Sequence, residues 1–175
     1  TFIFVIVVAP LQGGLALGLA LLINQRLKGI NVFRAIYFMP VVVTIVVVSL
    51  LWRFIYDGQS GLLNNLLSAI SFGTLPRIDW LGNPSTALGA IIAMSVWQAV
   101  GFHMVIWLSG LQTISPTLYE AAAIEGSSNW QTFRYITWPS ISTLYVTCTL
   151  LSMIFTVGDF NSVYLLTGGG PADLT

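Results

Sequence analysis

Long apolar stretches separated by short polar segments dominate the sequence. Four of them, residues 1–23, 35–56, 86–111 and 139–157, are close to the roughly 20 residues that a helix needs to cross the hydrocarbon core of a bilayer. The pattern therefore predicts an all-α fold, a polytopic membrane helix bundle with about four transmembrane helices in this stretch of chain.

Prolines and glycines interrupt the predicted spans. Pro40, near the start of the second span, predicts a kink or a bend around a cavity. Gly14 and Gly18 in the first span have the small-xxx-small spacing that lets neighbouring helices approach closely, with a hinge as the alternative.

The segment between the second and third spans predicts a short helix at 60–70 that lies in the membrane interface. Its leucines recur at helical spacing, and Asn64, Asn65 and Ser68 lie on the opposite face. Trp80 is expected to anchor at the interface, and Ser85 is expected to cap the third span.

Composition agrees with a membrane protein. The chain is 56% hydrophobic and 7% charged, whereas soluble domains carry about 25% charged residues. Cys148 is the one cysteine and His103 the one histidine, so neither an internal disulfide nor a metal cluster is expected. The six basic and six acidic residues cancel, so charge gives no sign of nucleic-acid binding.

Basic residues predict the orientation. Arg26, Lys28 and Arg34 lie in or beside the first loop, and short loops rich in lysine and arginine stay cytoplasmic. Counting spans from there, residues 112–138 are also expected to be cytoplasmic.

Two short helices are predicted within residues 112–138. Ser115 is expected to cap the first, Pro116 to begin it and Gly126 to end it. The second is expected to be capped by Ser127 or Ser128 and to end at Trp138-Pro139. The physical pattern alone leaves two readings open, a docking surface or a solvated hairpin without a partner.

This segment resembles the signature loop of ATP-binding-cassette importer permeases. It contains Glu120-Ala121-Ala122, three residues, Gly126, nine residues, Ile136, one residue and Trp138-Pro139, with Trp138 where the family usually has leucine. FRAIYFMP, GLQTISPTLYEAAAIEG and LLTGGGP extend the resemblance over essentially the whole chain. They point to the carbohydrate-uptake branch, represented by the larger permease of the maltose transporter and the first permease of the glycerol-phosphate transporter.

The resemblance implies a permease domain of at least six helices, so that further helices are expected beyond both ends of residues 1–175. It also implies a multi-pass protein of a bacterial or archaeal inner membrane, without a cofactor. Its implied partners are a second permease subunit, two cytoplasmic ATPase subunits, an extracytoplasmic sugar-binding protein and a sugar. The residues implied in ATPase docking are Glu120, Ala121, Ala122, Gly126, Ile136 and Pro139.

Polar residues inside the predicted spans are candidates for a solute pathway, because they are costly in a bilayer and usually functional. The third span offers Ser95, Trp97, Gln98, Phe102 and His103, and the fourth span and its exit offer Ser152, Thr156, Asp159 and Asn161. The resemblance places pore positions at Ile45, Gln98, Ala99, Phe102, Ser152, Thr156, Asp159 and Asn161. The predicted pathway residues are therefore Gln98, Phe102, Ser152, Thr156, Asp159 and Asn161. A lone histidine such as His103 is more typical of hydrogen-bonded packing than of a proton relay.

Function is predicted to be sugar import, with ATP hydrolysed on a partner chain, since this sequence contains no GxxxxGK[ST] phosphate loop. A phosphorylated substrate would need a cationic clamp, and the spans offer only Arg53 near an edge, which favours a neutral sugar. The alternative is a secondary transporter or channel, which would need paired charges or broken helices around an ion. A membrane enzyme is disfavoured, because neither a nucleophile motif nor a metal cluster is present.

Overall fold

The computed structural model describes residues 2–24, 30–157 and 160–168. Within these ranges the chain forms helices and their connections and no strand, which confirms the predicted all-α fold. The helices are α1 (Phe2–Asn24), α2 (Ile30–Val42), α3 (Ile45–Ile55), α4 (Leu62–Ile70), α5 (Pro84–Gln112), α6 (Pro116–Ile124), α7 (Asn129–Thr132), α8 (Trp138–Val157) and α9 (Phe160–Thr167), and a π-helical turn (Phe133–Thr137) joins α7 to α8.

Three helices of the described chain are long and apolar enough to cross a membrane. They cover Ile3–Asn24, Pro84–Gln112 and Asn129–Thr156, and a fourth span is present if α2 and α3 count as one. The kink or bend expected in the predicted span 35–56 is found, because α2 and α3 meet at 100°. The bend follows Pro40 within one helical turn, and Thr44 there has the extended backbone that redirects the chain.

The core forms where α1, α5 and α8 pack against one another. On α1 the fully buried small residues are Ala16 and Ala20, which belong to the same cluster as Met104 and Trp107 of α5. Close packing through the Gly14 and Gly18 pair is not found. Both residues lie on the exposed face of α1, where no described atom lies within 4 Å of the position of a Cβ.

The predicted short helix at 60–70 is confirmed as α4, in the loop between α3 and α5, but Asn64 does not lie on a solvated face. Its side chain is 4% exposed and donates to the carbonyl groups of Asp57, Gly58 and Ile78. The Asn64 Oδ1 atom accepts from the Ile78 amide and from the indole of Trp80, at 3.1 Å. Trp80 is therefore bonded within the loop, because the chain after α4 folds back over Asn64.

The cap of α5 differs from the expected one. Asn83 occupies the N-cap position, and its side chain accepts from the backbone amide of Ser85 at 3.0 Å. Pro84 begins the helix, where the backbone N–H that proline lacks would have no partner within the helix. Ser85 is thus the residue whose amide is capped, and the prediction that it caps the helix is wrong.

The helix that begins at Asn129 does not end at Trp138-Pro139, so that prediction is also wrong. The Trp138 amide bonds to the Phe133 carbonyl through the wider π-helical turn, and α8 continues through Pro139. Proline offers no amide to the helix, and the Ser140 hydroxyl that follows it donates to the Ile136 carbonyl of the preceding turn at 2.7 Å. The widened turn therefore lets one helical rod run on from the loop into the predicted fourth span.

Candidate functional site

A cleft of about 570 Å³ opens between α1, α5 and α8. It brings together four of the six predicted pathway residues, since Gln98, Phe102, Ser152 and Thr156 all line it. Their spacing explains this, because residues four apart on a helix share one face. Asp159 lies outside the described residues, and Asn161 belongs to α9 with its side chain not described.

Other predicted positions divide between the cleft and its surroundings. Ser95, Ala99 and His103 also line the cleft. Ile45 is not among the lining residues, and Trp97 instead packs edge-on against Trp52, with ring centroids 5.5 Å apart.

His103 holds the centre of a hydrogen-bonded chain across three helices. Its Nδ1 atom lies 2.8 Å from Gln12 Nε2 on α1, and its Nε2 atom lies 2.6 Å from the Ser152 hydroxyl on α8. Its Nδ1 atom is also 3.0 Å from the Ala99 carbonyl oxygen of its own helix. The expectation of a hydrogen-bonded packing histidine therefore agrees with this geometry.

Gln12 is the site residue that sequence reasoning missed. It is 4% exposed and lines the cleft. The signal that could have found it was its place in the first apolar stretch, because an amide side chain in a transmembrane segment is itself a candidate functional group.

Two predicted hydroxyl groups bond back to their own helix. The Ser152 hydroxyl donates to the Cys148 carbonyl at 2.8 Å, and the Thr156 hydroxyl donates to the Ser152 carbonyl at 2.7 Å. Each hydroxyl oxygen keeps lone pairs that can accept a further hydrogen bond. Both groups can therefore serve the helix and face the cleft at once.

The described lining of the cleft carries no lysine, arginine, aspartate or glutamate. Its polar groups are amides, hydroxyls and one imidazole, and its aromatic groups are Phe4, Phe102 and Phe155. Uncharged hydrogen-bonding groups beside aromatic faces suit a neutral hydroxylated solute. They offer no counter-charge to an anion, whose burial without a partner is costly.

The predicted loop helix is confirmed as α6, with Ser115 at the N-cap position and Pro116 as its first residue. Gly126 ends it with a φ of +71°. The amide of Gly126 bonds to the Ala123 carbonyl, and the amide of Ser127 bonds to the Ala122 carbonyl. These two bonds form a Schellman motif, whose left-handed residue is usually glycine.

The predicted docking residues do not all face outward. Glu120, Ala121, Gly126 and Pro139 are exposed, whereas Ala122 is 5% exposed and packs inward. Ile136 is half-buried against the core. The Glu120 carboxylate forms no ion pair with another residue of the described chain, so it remains available to a partner.

Ser128 rather than Ser127 caps α7. Its hydroxyl accepts from the Gln131 amide, and the Gln131 side chain accepts from the Ser128 amide at 2.8 Å. This reciprocal capping box fixes the start of the helical rod that leads into α8.

A row of aromatic rings joins the loop to the core. Trp130, which is 70% exposed, stacks on Phe133, and Phe133 packs against Trp138. Trp138 then contacts Tyr145, with ring centroids 5.3 Å apart, and Tyr145 stacks on the buried Trp107 at 5.2 Å. Trp138, where the resembling family usually has leucine, is the middle ring of this row.

Comparison with known protein families gives a match over most of the chain. The family described as "Binding-protein-dependent transport system inner membrane component" matches residues 12–175.

Curated relatives have similar sequences. The trehalose/maltose transport system permease protein MalF of Thermococcus litoralis is 38% identical over 175 residues, which cover 100% of this chain and 58% of MalF. The xylose/arabinose import permease protein XacH of Haloferax volcanii is 35% identical over 154 residues, covering 88% of this chain and 48% of XacH. The chain thus spans about half the length of these relatives.

A solved structure has a similar fold. One chain of the crystal structure of a bacterial alginate ABC transporter, in complex with an alginate pentasaccharide-bound periplasmic protein, superposes with a TM-score of 0.84. The two sequences are 25% identical, and the match covers 98% of this chain and 60% of that one.

Proposed function

Since the chain belongs to the family of binding-protein-dependent transport system inner membrane components, we propose that it is part of the permease subunit of an ATP-binding-cassette importer. The subunit passes a neutral sugar inward through the cell membrane, which it crosses several times. The observation that carries this proposal is the uncharged cleft between α1, α5 and α8, in which amide, hydroxyl and aromatic side chains converge.

The energy comes from ATP hydrolysed on two cytoplasmic partner subunits, each docked on the signature loop of one of two permeases. The exposed Glu120 carboxylate supports this role, because it has no ion-pair partner within the described chain. The exposed, left-handed Gly126 keeps the end of α6 free of side-chain bulk, so a partner surface can approach the backbone there.

Docking and solute binding are connected through stiff elements. The helical rod from Asn129 continues into α8, which carries Ser152 and Thr156. The aromatic row ends at Trp107, which lies one helical turn from His103 of the cleft. A movement of the docked loop would therefore shift the walls of the cleft.

The substrate class follows from the cleft and from the relatives. One relative is named for trehalose and maltose and the other for xylose and arabinose. All four of these sugars are neutral. Phenyl rings such as Phe102 can pack on the apolar faces of a sugar ring, while Gln98 and the hydroxyl groups can bond to its edge.

The test is reconstitution of the full-length protein with its neighbouring permease, ATPase and sugar-binding protein in lipid vesicles. Uptake of radiolabelled trehalose, maltose, xylose and arabinose is measured with and without ATP enclosed in the vesicles. We expect ATP-dependent uptake of at least one of them. Uptake that continues without ATP would contradict the importer and favour a channel or secondary transporter.

A matched pair of variants tests the docking loop in the same vesicles. Glu120→Ala is expected to reduce sugar-stimulated ATP hydrolysis at least tenfold, because it removes the exposed carboxylate that pairs with the ATPase. Glu125→Ala removes the other carboxylate of the loop, which lies at the end of α6 and outside the signature, and is expected to retain the parental rate. Equal effects of the two changes would contradict the docking role of Glu120.

A further inference from the structure

We propose that Gln12 contacts the transported sugar directly and that His103 and Ser152 hold its amide in position to recognise one sugar hydroxyl group. This inference rests on the proposed function and names a residue on α1, outside the two helices that the sequence pattern marked as the pathway. Gln12 is only 4% exposed, yet its side chain lines the cleft.

The amide is fixed by a relay of hydrogen bonds that runs through three helices. Gln12 Nε2 lies 2.8 Å from His103 Nδ1, and His103 Nε2 lies 2.6 Å from Ser152 Oγ. Ser152 Oγ in turn lies 2.8 Å from the Cys148 carbonyl oxygen. Because the relay ends on a helix backbone, the imidazole cannot rotate without breaking a bond at each ring nitrogen.

The protons of the relay can be arranged in two ways. When Ser152 donates to the Cys148 carbonyl, it accepts from a protonated His103 Nε2, and Nδ1 accepts from the Gln12 amide nitrogen. When Ser152 donates to His103 Nε2, Nδ1 carries the proton and can donate to the Ala99 carbonyl oxygen, 3.0 Å away, or to a Gln12 amide that turns its oxygen towards the ring. The first arrangement keeps the Gln12 amide as the structure has it, with its Nε2 atom bonded to the ring.

The other end of the amide has no partner in the described part of the chain, where His103 is the one residue that bonds to Gln12. That end is accessible at the cleft, because no atom of Gln12 is among the buried side-chain atoms without a hydrogen-bond partner. A sugar hydroxyl satisfies either end of the amide, because it both donates and accepts. A carboxylate would bring a charge for which the described lining has no cation.

The experiment uses the reconstituted full-length transporter and whichever of the four neutral sugars the parent takes up, together with the monodeoxy analogues of that sugar. The measured quantity is kcat/KM for uptake of the parent sugar divided by kcat/KM for each analogue. The binding protein is the same throughout, so its own selectivity cancels when a variant is compared with the parent. A site that bonds to a hydroxyl group discriminates strongly against the analogue that lacks it.

Gln12→Met keeps the length of the side chain without its amide, and Gln12→Leu provides a second apolar variant in case one assembles poorly. The parent is expected to discriminate at least tenfold against one monodeoxy analogue. Both variants are expected to lose that discrimination while keeping the ratios for the other analogues. His103→Phe, which removes the support of the amide, is expected to reproduce this pattern.

Thr147→Val is the matched control. The Thr147 hydroxyl bonds back to the Thr143 carbonyl at 2.9 Å, as Ser152 does to Cys148, but Thr147 is exposed and does not line the cleft. The kcat/KM ratios of Thr147→Val should equal those of the parent for every analogue.

Two results would overturn the inference. One is that the Gln12 variants retain all the parental ratios, and the other is that they lower uptake of every sugar equally, as a packing residue would. A parent that takes up none of the four sugars would instead contradict the proposed function, so the two failures are distinguishable.

Discussion

Gly101 of α5 lies against the backbone carbonyl group of Tyr37 of α2, so closely that a Cβ atom at position 101 would overlap the carbonyl oxygen. The two helices therefore cross backbone to backbone at this point. A flexible side chain could move aside for an added methyl group, but a helix carbonyl cannot do so without displacing its helix. The crossing of α2 over α5 thus depends on a residue without a side chain.

Gly101→Ala is expected to destabilise the protein by about 1–3 kcal/mol, the range found when extra methyl groups are forced into a packed core. Thermal unfolding of the purified protein in detergent would measure it. Gly89→Ala on the same helix is the control, because nothing lies within 4 Å of a Cβ there. Equal melting temperatures for the two variants would show that the close crossing does not matter for stability.

Asn64→Leu is expected to loosen the loop between α3 and α5, because it leaves the Ile78 amide and the Trp80 indole without their acceptor. A fully buried group left unpaired costs about 1–3 kcal/mol, and these two groups are partly buried. The rate of limited proteolysis between α4 and α5 should therefore rise. Asn65→Leu removes an exposed bond to the Ser60 carbonyl and should leave the rate nearly unchanged. Similar rates for both variants would contradict the central role of Asn64.

Gly126→Ala is expected to lower sugar-stimulated ATP hydrolysis by distorting the end of α6. Its φ of +71° costs a residue with a side chain about 1–2 kcal/mol, although the space around a Cβ is open. The ATPase rate of the reconstituted complex is the measurement.

Gly73→Ala separates that strain from docking. Gly73 has a φ of +78° and equally open surroundings, but it follows α4 in the loop between α3 and α5. Gly73→Ala should destabilise the protein about as much as Gly126→Ala does, and it should leave the ATPase rate at the parental value. If both variants slow ATP hydrolysis alike, general destabilisation rather than the loop explains the effect.

The loop between α3 and α5 is expected to weaken in acid through Asp57. Hydrogen bonds from the Ser60 amide, the Ser60 hydroxyl and the Gln59 amide lower the pKa of Asp57 below its ordinary value of 3.8. The carboxylate therefore stabilises the folded loop above pH 3.8, and this contribution is lost as the pH falls below 3.8 and through the lower folded-state pKa.

Comparison of the parent with Asp57→Asn, by thermal unfolding between about pH 3 and 6, checks this sign. The stability advantage of the parent should be constant at the upper end of the range and shrink below the ordinary aspartate pKa. An advantage that grows in acid would contradict the assignment.

Local signals predicted several helix ends correctly, and neighbouring elements explain the ones that they missed. Pro116 and Gly126 bound α6 as expected, because proline fits the first turn and glycine fits a left-handed C-terminal residue. Pro139 did not end its helix, because the π-helical turn before it accommodates a residue without an amide. Whether a proline breaks or continues a helix thus depends on the turn that precedes it.

The candidate site was predictable one helix at a time. Gln98 and Phe102 are four residues apart on α5, as Ser152 and Thr156 are on α8, so each pair shares one helix face, and all four line the cleft. Gln12 could not be added from spacing, because it lies on a third helix that joins the site only when α1 packs against α5.

The sequence by itself determined the membrane class, the positions of the long helices, the family signature and the residue types available for a solute pathway. These depend on hydrophobic period, helix-end chemistry and spacing along one segment. Only the tertiary structure decided the 100° bend between α2 and α3, the burial of Asn64 and the hydrogen bond between Gln12 and His103. That bond joins residues 91 positions apart, and such contacts are fixed by the packing of whole helices, which no local pattern encodes.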